Sequence, residues 1–162
     1  VKITIYKEFE TMLVNYLSGD DSAFSTLCRD HQWQRTAQRR AVFNFLCGNR
    51  DHPTLESVWR GVRVVLPDVS LDSIYRILDD FSDAGVIRRL DGAKVIRYDS
   101  ETRPHEHFVC AQCGRMHDFA CLEPDLVAGH CREFGRVESI ELTVHGVCRL
   151  CLEKRDSAGN RR

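Results

Sequence analysis

The 162-residue sequence has no apolar run near the roughly 20 residues that a transmembrane helix needs, which excludes a membrane-spanning protein. It has no internal repeat and no low-complexity segment, so a repeat architecture is excluded as well. The first residues place Lys2 and Lys7 beside acidic residues without a continuous apolar core, so we expect no secretory signal. The net charge of −1 brings no overall basic excess. We therefore expect a globular, cytoplasmic protein of one large or two small domains.

Eight cysteines are present, and without a secretory signal they indicate a reducing compartment, where thiols bind metal more often than they pair. Four of them form two CxxC pairs, Cys110 with Cys113 and Cys148 with Cys151. Each pair can turn tightly about one metal ion, and two such turns supply the four thiolates of a tetrahedral structural zinc site. Two disulfides or four buried thiols are the alternatives, but paired spacing across a strand-like gap favours zinc.

Apolar residues recur at helical spacing through the N-terminal half of the chain. They predict an extension helix over residues 3–17, a short helix that begins near Asp21, and three further helices. A capping residue precedes each of the last three helices, namely Thr36, Thr54 and Ser70. In the second of these three helices, the predicted apolar stripe runs from Leu55 to Val65.

Two short strands are predicted next, at residues 86–90 and 94–98, joined by a tight hairpin on Asp91-Gly92. Three helices followed by a hairpin indicate a winged helix-turn-helix, with the hairpin as its wing. We expect this domain to span residues 21–98, after an extension of residues 1–20.

The third helix, residues 70–81, would then enter the major groove of DNA. Arg76 can bond a phosphate or a guanine, and Tyr75 offers a hydroxyl group and a ring that can pack on a thymine methyl. Ser73 and Arg39 complete the candidate DNA-binding residues. Basic residues also outnumber acidic ones between Arg29 and Arg63. The alternative for all these positions is a solvated polar surface.

A polar stretch at residues 99–104 predicts a hinge, and a second domain follows it over residues 105–155. Its elements should be strands around the first cysteine pair, a helix, a further strand and a short closing helix, at residues 105–110, 115–119, 122–134, 137–144 and 148–155. Residues 156–162 form a polar tail.

A second metal site is predicted from histidine and aspartate residues. His105 and His107 alternate along one strand, so both imidazoles face the same side, and Asp118 lies on the neighbouring strand. With Asp99 at the hinge and His52 in a turn, the set offers three nitrogens and two carboxylate oxygens, which suits Fe2+ or Mn2+ and can also take Zn2+. Such a metal would set the angle between the domains and thereby control DNA binding. A capping turn at His52 and a strand-end acid at Asp99 are the alternatives.

The chain resembles the ferric uptake regulator family in a series of motifs that occur in order from about Asp21 to Cys151. The matching stretches are Thr36-Ala-Gln-Arg39, His52-Pro-Thr54, Ser70-Leu-Asp-Ser-Ile-Tyr-Arg76, Asp83-Ala-Gly-Val-Ile87, His105-Glu-His-Phe-Val-Cys110, Cys113-Gly114 with Asp118-Phe119, and Gly146-Val-Cys148 with Cys151. The resemblance implies an α+β protein that forms a homodimer. Each subunit would have an N-terminal winged helix that binds double-stranded operator DNA and a C-terminal α/β dimerisation domain.

Within this family, the five predicted ligands are similar to the sensor set of the peroxide-responsive repressors. An aspartate at position 118, where iron-uptake repressors usually have glutamate, favours that branch. The resemblance implies that peroxide reacts at ferrous iron and that the oxidant modifies His52 or His105, which releases the metal and then the DNA. Manganese would support DNA binding without this chemistry. No further small-molecule substrate is implied.

Three positions depart from the family pattern. Pro104 and Ile140 stand where iron-uptake repressors often have histidines of a further metal site, so we expect that site to be absent and Glu106 and Asp125 to lack metal-site partners. Asp72 stands where the family usually has a small residue, which predicts an unusual operator. Residues 1–20 have no family counterpart, and Cys28, Cys47, Cys121 and Cys131 match no known ligand position.

Other functions remain open at this point. An iron- or zinc-uptake regulator of the same family is the nearest alternative. A zinc-dependent hydrolase would use the His/Asp cluster with an open coordination position, but no general base beyond the ligands is evident. The third alternative is an interaction module that is stabilised by zinc and binds protein rather than DNA. We expect a regulator and not an enzyme.

Overall fold

A computed structural model of the protein describes residues 20–91, 95–103, 105–120, 129, 131, 133–135 and 142–159, with side chains of the last helix described as far as Arg155. The chain divides into two compact units, the first of which ends at Arg103. Within the described residues, no helix combines the length and the apolar composition that crossing a membrane requires. The helix predicted over residues 3–17 lies outside them.

In the described part of the first unit there are four helices: α1 (Asp21–Asp30), α2 (Ala37–Leu46), α3 (Leu55–Arg63) and α4 (Leu71–Asp83). The predicted caps of the last three helices are confirmed. In each, the hydroxyl oxygen of the capping residue accepts a hydrogen bond of 3.1 to 3.2 Å from the backbone N–H three residues later. These bonds satisfy N–H groups that have no partner within the helix, so each helix begins where the sequence predicts.

The four helices pack their apolar faces into a common core. Its most deeply buried side chains are Phe24, Leu27, Val42, Val58, Val62, Ile74, Leu78 and Phe81. The prediction that Val65 belongs to this core is wrong, because α3 ends at Arg63 and leaves Val65 66% exposed. Packing in this core places α4 against α2 and α3 and leaves the opposite face of α4 exposed to solvent.

A two-stranded wing follows the helices, formed by β1 (Arg88–Leu90) and β2 (Arg97–Asp99) in antiparallel pairing. Leu90 pairs with Arg97, so the two predicted strands do pair, but β2 begins at Arg97 and not at residue 94. Gly92 of the predicted turn lies outside the described residues. The register is determined by burial of Tyr98, which is 3% exposed and whose N–H donates to the Pro53 carbonyl at 2.9 Å. A shift of one residue would turn this ring away from the core.

The second unit contains a three-stranded sheet of β3 (Glu106–Cys110), β4 (Met116–Phe119) and β5 (Thr143–Gly146), followed by α5 (Arg149–Gly159). The strand order is β4-β3-β5, with β4 antiparallel and β5 parallel to β3. Most of the predicted helix 122–134 and residues 137–141 of the predicted strand lie outside the described residues. A helical unit with wing strands followed by an α/β unit confirms the predicted fold class.

The parallel pairing of β3 with β5 positions the cysteines. Cys110, the last residue of β3, is directly opposite Gly146, the last residue of β5. A Cβ atom at Gly146 would lie 2.8 Å from the Phe108 ring, so the close approach of the two strands requires glycine there. The chain leaving β5 therefore brings Cys148 beside Cys110.

Candidate metal centres and nucleic-acid interface

Four cysteine sulfurs converge where β3 and β5 end. All four Sγ atoms lie within 4.8 Å of one another. Cys110 Sγ is 3.9 Å from Cys151 Sγ, and Cys113 Sγ is 3.8 Å from Cys148 Sγ. A tetrahedral zinc ion with Zn–S bonds of about 2.3 Å needs sulfurs about 3.8 Å apart, whereas a disulfide needs about 2.0 Å. The geometry fits a four-thiolate metal site, and none of these cysteines is disulfide-bonded.

The surrounding backbone prepares this cluster for a cation. The backbone N–H groups of Cys148 and Cys113 donate to Cys110 Sγ at 3.3 and 3.5 Å, and these bonds lower the pKa of Cys110 to about 6. Burial raises the pKa of Cys151 to about 12, with a further contribution from neighbouring thiols. One thiolate is thus available near neutral pH, while the Cys151 proton is retained unless a cation replaces it.

A second cluster lies on the β3–β4 side of the same unit. His107 pairs directly with Asp118 across the two strands, and His105 shares their face of the sheet. The Nε2 atoms of His105 and His107 are 3.0 Å apart, and each lies 3.8 Å from Asp118 Oδ1. Their side chains are 9%, 5% and 21% exposed. Two imidazoles and a carboxylate at this spacing can converge on one divalent cation.

His52 and Asp99 form a buried pair within the first unit, 1% and 2% exposed, with His52 Nε2 3.9 Å from Asp99 Oδ1. His52 has a φ of +48°, a conformation that few residues other than glycine adopt. Arg97 Nη1 supports it by donating to the His52 carbonyl at 2.8 Å. The Glu101 N–H donates to Asp99 Oδ1 at 2.8 Å and orients that carboxylate. Two of the five predicted ligands thus belong to the first unit, and the other three belong to the second.

The predicted DNA-contacting residues of α4 differ in exposure. Tyr75 is 41% exposed, and the Arg76 side chain is 77% exposed. Ser73 is half-buried, and its hydroxyl lies 2.8 Å from the Ser70 hydroxyl at the helix cap. Tyr75 and Arg76 therefore present their polar groups to solvent, whereas Ser73 belongs to the cap.

Arg39, the fourth predicted DNA contact, is bound within the first unit. Its Nη2 atom lies 2.5 Å from Asp80 Oδ2 on α4, and its Nη1 atom donates to the Gln34 carbonyl at 2.8 Å. The guanidinium also lies over the Trp33 ring, and the side chain is only 13% exposed. Arg39 joins α2 to α4 inside the domain, and its assignment as a DNA contact stays a prediction.

Two further residues illustrate what sequence patterning missed. Glu106, expected to lack metal-site partners, is 3% exposed and accepts a hydrogen bond of 2.7 Å from the Leu142 N–H, so it anchors the segment that enters β5. Arg97 was not predicted to have a role, yet it supports His52. Both contacts join residues 36 to 45 positions apart, and no local signal reveals them. Pro104, Asp125 and Ile140 lie outside the described residues.

Comparison with known proteins gives consistent matches. The profile of the "Ferric uptake regulator family" matches residues 30–146. The peroxide-responsive repressor PerR of Staphylococcus saprophyticus is 32% identical over 133 residues, which cover 80% of this chain and 89% of that protein. PerR of Staphylococcus aureus strain USA300 is 32% identical over 123 residues, covering 74% and 82%.

Solved structures also resemble the chain. The Helicobacter pylori ferric uptake regulator Fur superposes with a TM-score of 0.71 at 21% identity, covering 84% of this chain and 93% of that one. A zinc-bound manganese uptake regulator superposes with a TM-score of 0.61 at 27% identity, covering 76% and 97%. At 21% identity, the likeness to the Helicobacter pylori protein supports the fold alone. The manganese uptake regulator resembles this chain in both fold and sequence.

Proposed function

Since the chain belongs to the ferric uptake regulator family, we propose that it represses transcription in response to peroxide through a metal held by its histidine and aspartate residues. Membership makes it a metal-dependent, DNA-binding transcription regulator and not an enzyme, which removes the zinc-dependent hydrolase from consideration. The sensed signal, the metals, the assembly and the DNA contacts are the parts that we propose.

The cluster of His105, His107 and Asp118 is the observation that carries the proposal. Its nitrogen and oxygen atoms lie within 3.8 Å of one another on one face of the sheet. With the buried pair of His52 and Asp99, the set provides three imidazole nitrogens and two carboxylate oxygens. Mixed donors of this kind suit Fe2+ or Mn2+ and also accept Zn2+. We propose that these five residues bind the regulatory metal.

Ferrous iron, when bound, supplies the reduction of peroxide to a short-lived oxidant beside the imidazole rings. His52 and His105 are the side chains that we propose gain an oxygen atom. An oxidised ring no longer offers the same nitrogen donor, so the remaining residues hold the metal less tightly. Because the ligands come from both predicted domains, loss of the metal would free the angle between them and weaken DNA binding.

We propose zinc for the four-cysteine cluster, because soft thiolates at tetrahedral spacing are its preferred ligand set. Its role is structural, since it joins the end of β3 to the start of α5. We also propose a homodimer formed through the second unit. Apolar side chains there are 39 to 51% exposed on β5, just before it and on α5, namely Leu142, Val144, Leu150 and Leu152. Burying such a surface favours association.

For DNA, we propose that α4 enters the major groove with Tyr75 and Arg76 as its contacts. Ser73 would hold the first turn through its cap, and Arg39 would keep α4 in position against α2. The wing of β1 and β2 would lie along the backbone of the duplex.

Mass spectrometry of the iron-loaded protein tests this proposal. The protein is treated with a small dose of peroxide, digested, and mapped for oxygen addition, with manganese-loaded protein as the control. Oxygen on His52 or His105 only in the iron form, together with release of a DNA duplex obtained by selection, is the expected result. Release without histidine oxidation would contradict the proposed chemistry at His52 and His105. No release and no histidine oxidation would contradict peroxide sensing and favour an iron- or zinc-uptake regulator.

A further inference from the structure

Asp72 and Arg76 form an ion pair on the outermost face of α4. The buried side chains of this helix are Ile74, Ile77, Leu78 and Phe81. At 100° per residue, positions 72 and 76 point in nearly the opposite direction from that buried stripe. Arg76 Nη2 lies 3.0 Å from Asp72 Oδ2, and the two side chains are 77% and 68% exposed. The pair therefore occupies the surface that a major groove would meet.

The charge of α4 makes this pair unusual for a helix that binds DNA. The helix contains four aspartates and one arginine. Asp80 is bound by Arg39, whereas Asp79 and Asp83 lie in the C-terminal half of the helix. Because Arg76 is the one cationic side chain of α4, the helix as a whole attracts DNA phosphates only weakly. The N-terminal half, which carries Asp72 and Arg76, is the half that a helix-turn-helix presents to base edges.

Stability does not account for the pair. An exposed ion pair four residues apart on a helix contributes little to folding, because both groups are well solvated without it. The pair matters instead through the hydrogen-bonding pattern that it presents. A carboxylate only accepts hydrogen bonds and a guanidinium only donates them, and their contact places an acceptor directly beside a donor.

We propose that Asp72 determines DNA sequence specificity, by pairing with Arg76 to select a G·C base pair in each half-site. This inference rests on the proposed DNA binding. In the major groove, guanine presents two acceptors, O6 and N7, and cytosine presents the N4 amino donor. Arg76 donates to the guanine, and Asp72 accepts from the cytosine amine.

Asp72 would also weaken binding to DNA sites that have another base pair at this position. At an A·T pair the O4 atom of thymine is an acceptor, and a carboxylate facing it is repelled. The same carboxylate repels phosphate and keeps Arg76 directed at the bases, so Asp72 lowers the affinity for DNA of unrelated sequence. A bidentate contact such as the one proposed between Arg76 and guanine discriminates between base pairs by about 10-fold or more.

Selection from a random-sequence duplex library tests the inference with the full-length, manganese-loaded protein. The parent, Asp72→Ala and Asp83→Ala proteins are compared. Asp83 is exposed on the same helix near its C-terminal end, so Asp83→Ala removes an equal charge away from the proposed contact. We expect the parent and Asp83→Ala to select a G·C pair at one position per half-site. Asp72→Ala should reduce that preference by about 10-fold.

The salt dependence of binding gives an independent readout. When Asp72 is absent, Arg76 can reach phosphate, so binding of Asp72→Ala to unselected duplex should tighten severalfold. Its slope of log affinity against log salt should steepen by about 0.9 per subunit. An unchanged base preference with an unchanged slope would overturn the inference and leave the proposed DNA binding intact. Failure of the parent to select any duplex would overturn both.

Discussion

Arg39 and Asp80 are joined by a contact of 2.5 Å that spans 41 residues of sequence and ties α2 to α4. The same guanidinium donates to the Gln34 carbonyl and lies 5.1 Å from the centre of the Trp33 ring. Because α4 carries the exposed Tyr75 and Arg76, this contact determines how firmly those side chains are held.

Replacing Arg39 should destabilise the first unit more than replacing Arg76. We expect Arg39→Ala to lower the free energy of unfolding by about 1–3 kcal/mol, because it removes the partner of Asp80 and one of the two donors to the Gln34 carbonyl. Arg76→Ala should change it by less than about 0.5 kcal/mol, since that side chain is exposed, and should weaken DNA binding directly. Urea denaturation of both variants provides the comparison. Equal stability of the two proteins would contradict the bracing role.

Replacing Cys110 should remove the zinc. We expect Cys110→Ser to lose one metal ion per chain, to unfold the second unit and to abolish the dimer, because a structural metal contributes its binding free energy to folding. Cys47→Ser is the matched control, since Cys47 lies in the first unit away from the cluster. Metal analysis and size-exclusion chromatography measure both effects. A dimeric, zinc-free Cys110→Ser protein would show that the cluster is dispensable.

Replacing His105 should separate regulation from folding. We expect His105→Ala to keep the zinc and the dimer but to lose metal-dependent DNA binding. His117→Ala is the control, because His117 is exposed on β4 and faces the other side of the sheet from His107 and Asp118. Titration of each variant with Mn2+ in the presence of fluorescent duplex measures the response. If both variants respond to metal like the parent, the sensor assignment is wrong.

Gly61 should tolerate no side chain beside Phe45. A Cβ atom at Gly61 would lie 2.0 Å from Phe45 Cε2, so the ring of α2 packs directly on the backbone of α3. We expect Gly61→Ala to lower the free energy of unfolding by about 1–3 kcal/mol through overpacking. Adding Phe45→Leu should recover part of that loss. An additive or larger loss in the double variant would place the strain elsewhere.

Cys28 should be resistant to alkylation in the folded protein. It is 2% exposed, and burial raises the pKa of its thiol, so the reactive thiolate is scarcer at neutral pH than for an ordinary cysteine. We expect iodoacetamide to label it only after unfolding, whereas the half-buried Cys47 reacts earlier. A time course with peptide mapping measures the two rates. Early labelling of Cys28 would show that α1 opens readily.

Features that depend on neighbouring residues are predicted well from this sequence. Thr36, Thr54 and Ser70 cap their helices through contacts only three residues long. The CxxC spacing likewise predicts a four-sulfur cluster, because each half is a single turn and the metal chemistry demands that the halves meet.

Features that depend on distant residues are predicted poorly. The start of β2 was predicted too early, because the burial of Tyr98 and its bond to Pro53 determine the register of this strand. The contact of Arg39 with Asp80 was not predicted, because the partner lies on another helix. No local pattern carries either piece of information, since each contact arises only when the chain has folded.

The three-residue strand β2 restricts how this sequence can change over evolutionary time. Arg97 supports the turn at His52, Tyr98 fills the core, and Asp99 supplies a carboxylate, so consecutive residues serve three separate purposes. An inserted or deleted residue within β2 would exchange the two faces of the strand and disrupt all three at once. Length variation among descendants of this protein should therefore accumulate in residues 91–96 and spare the strand itself.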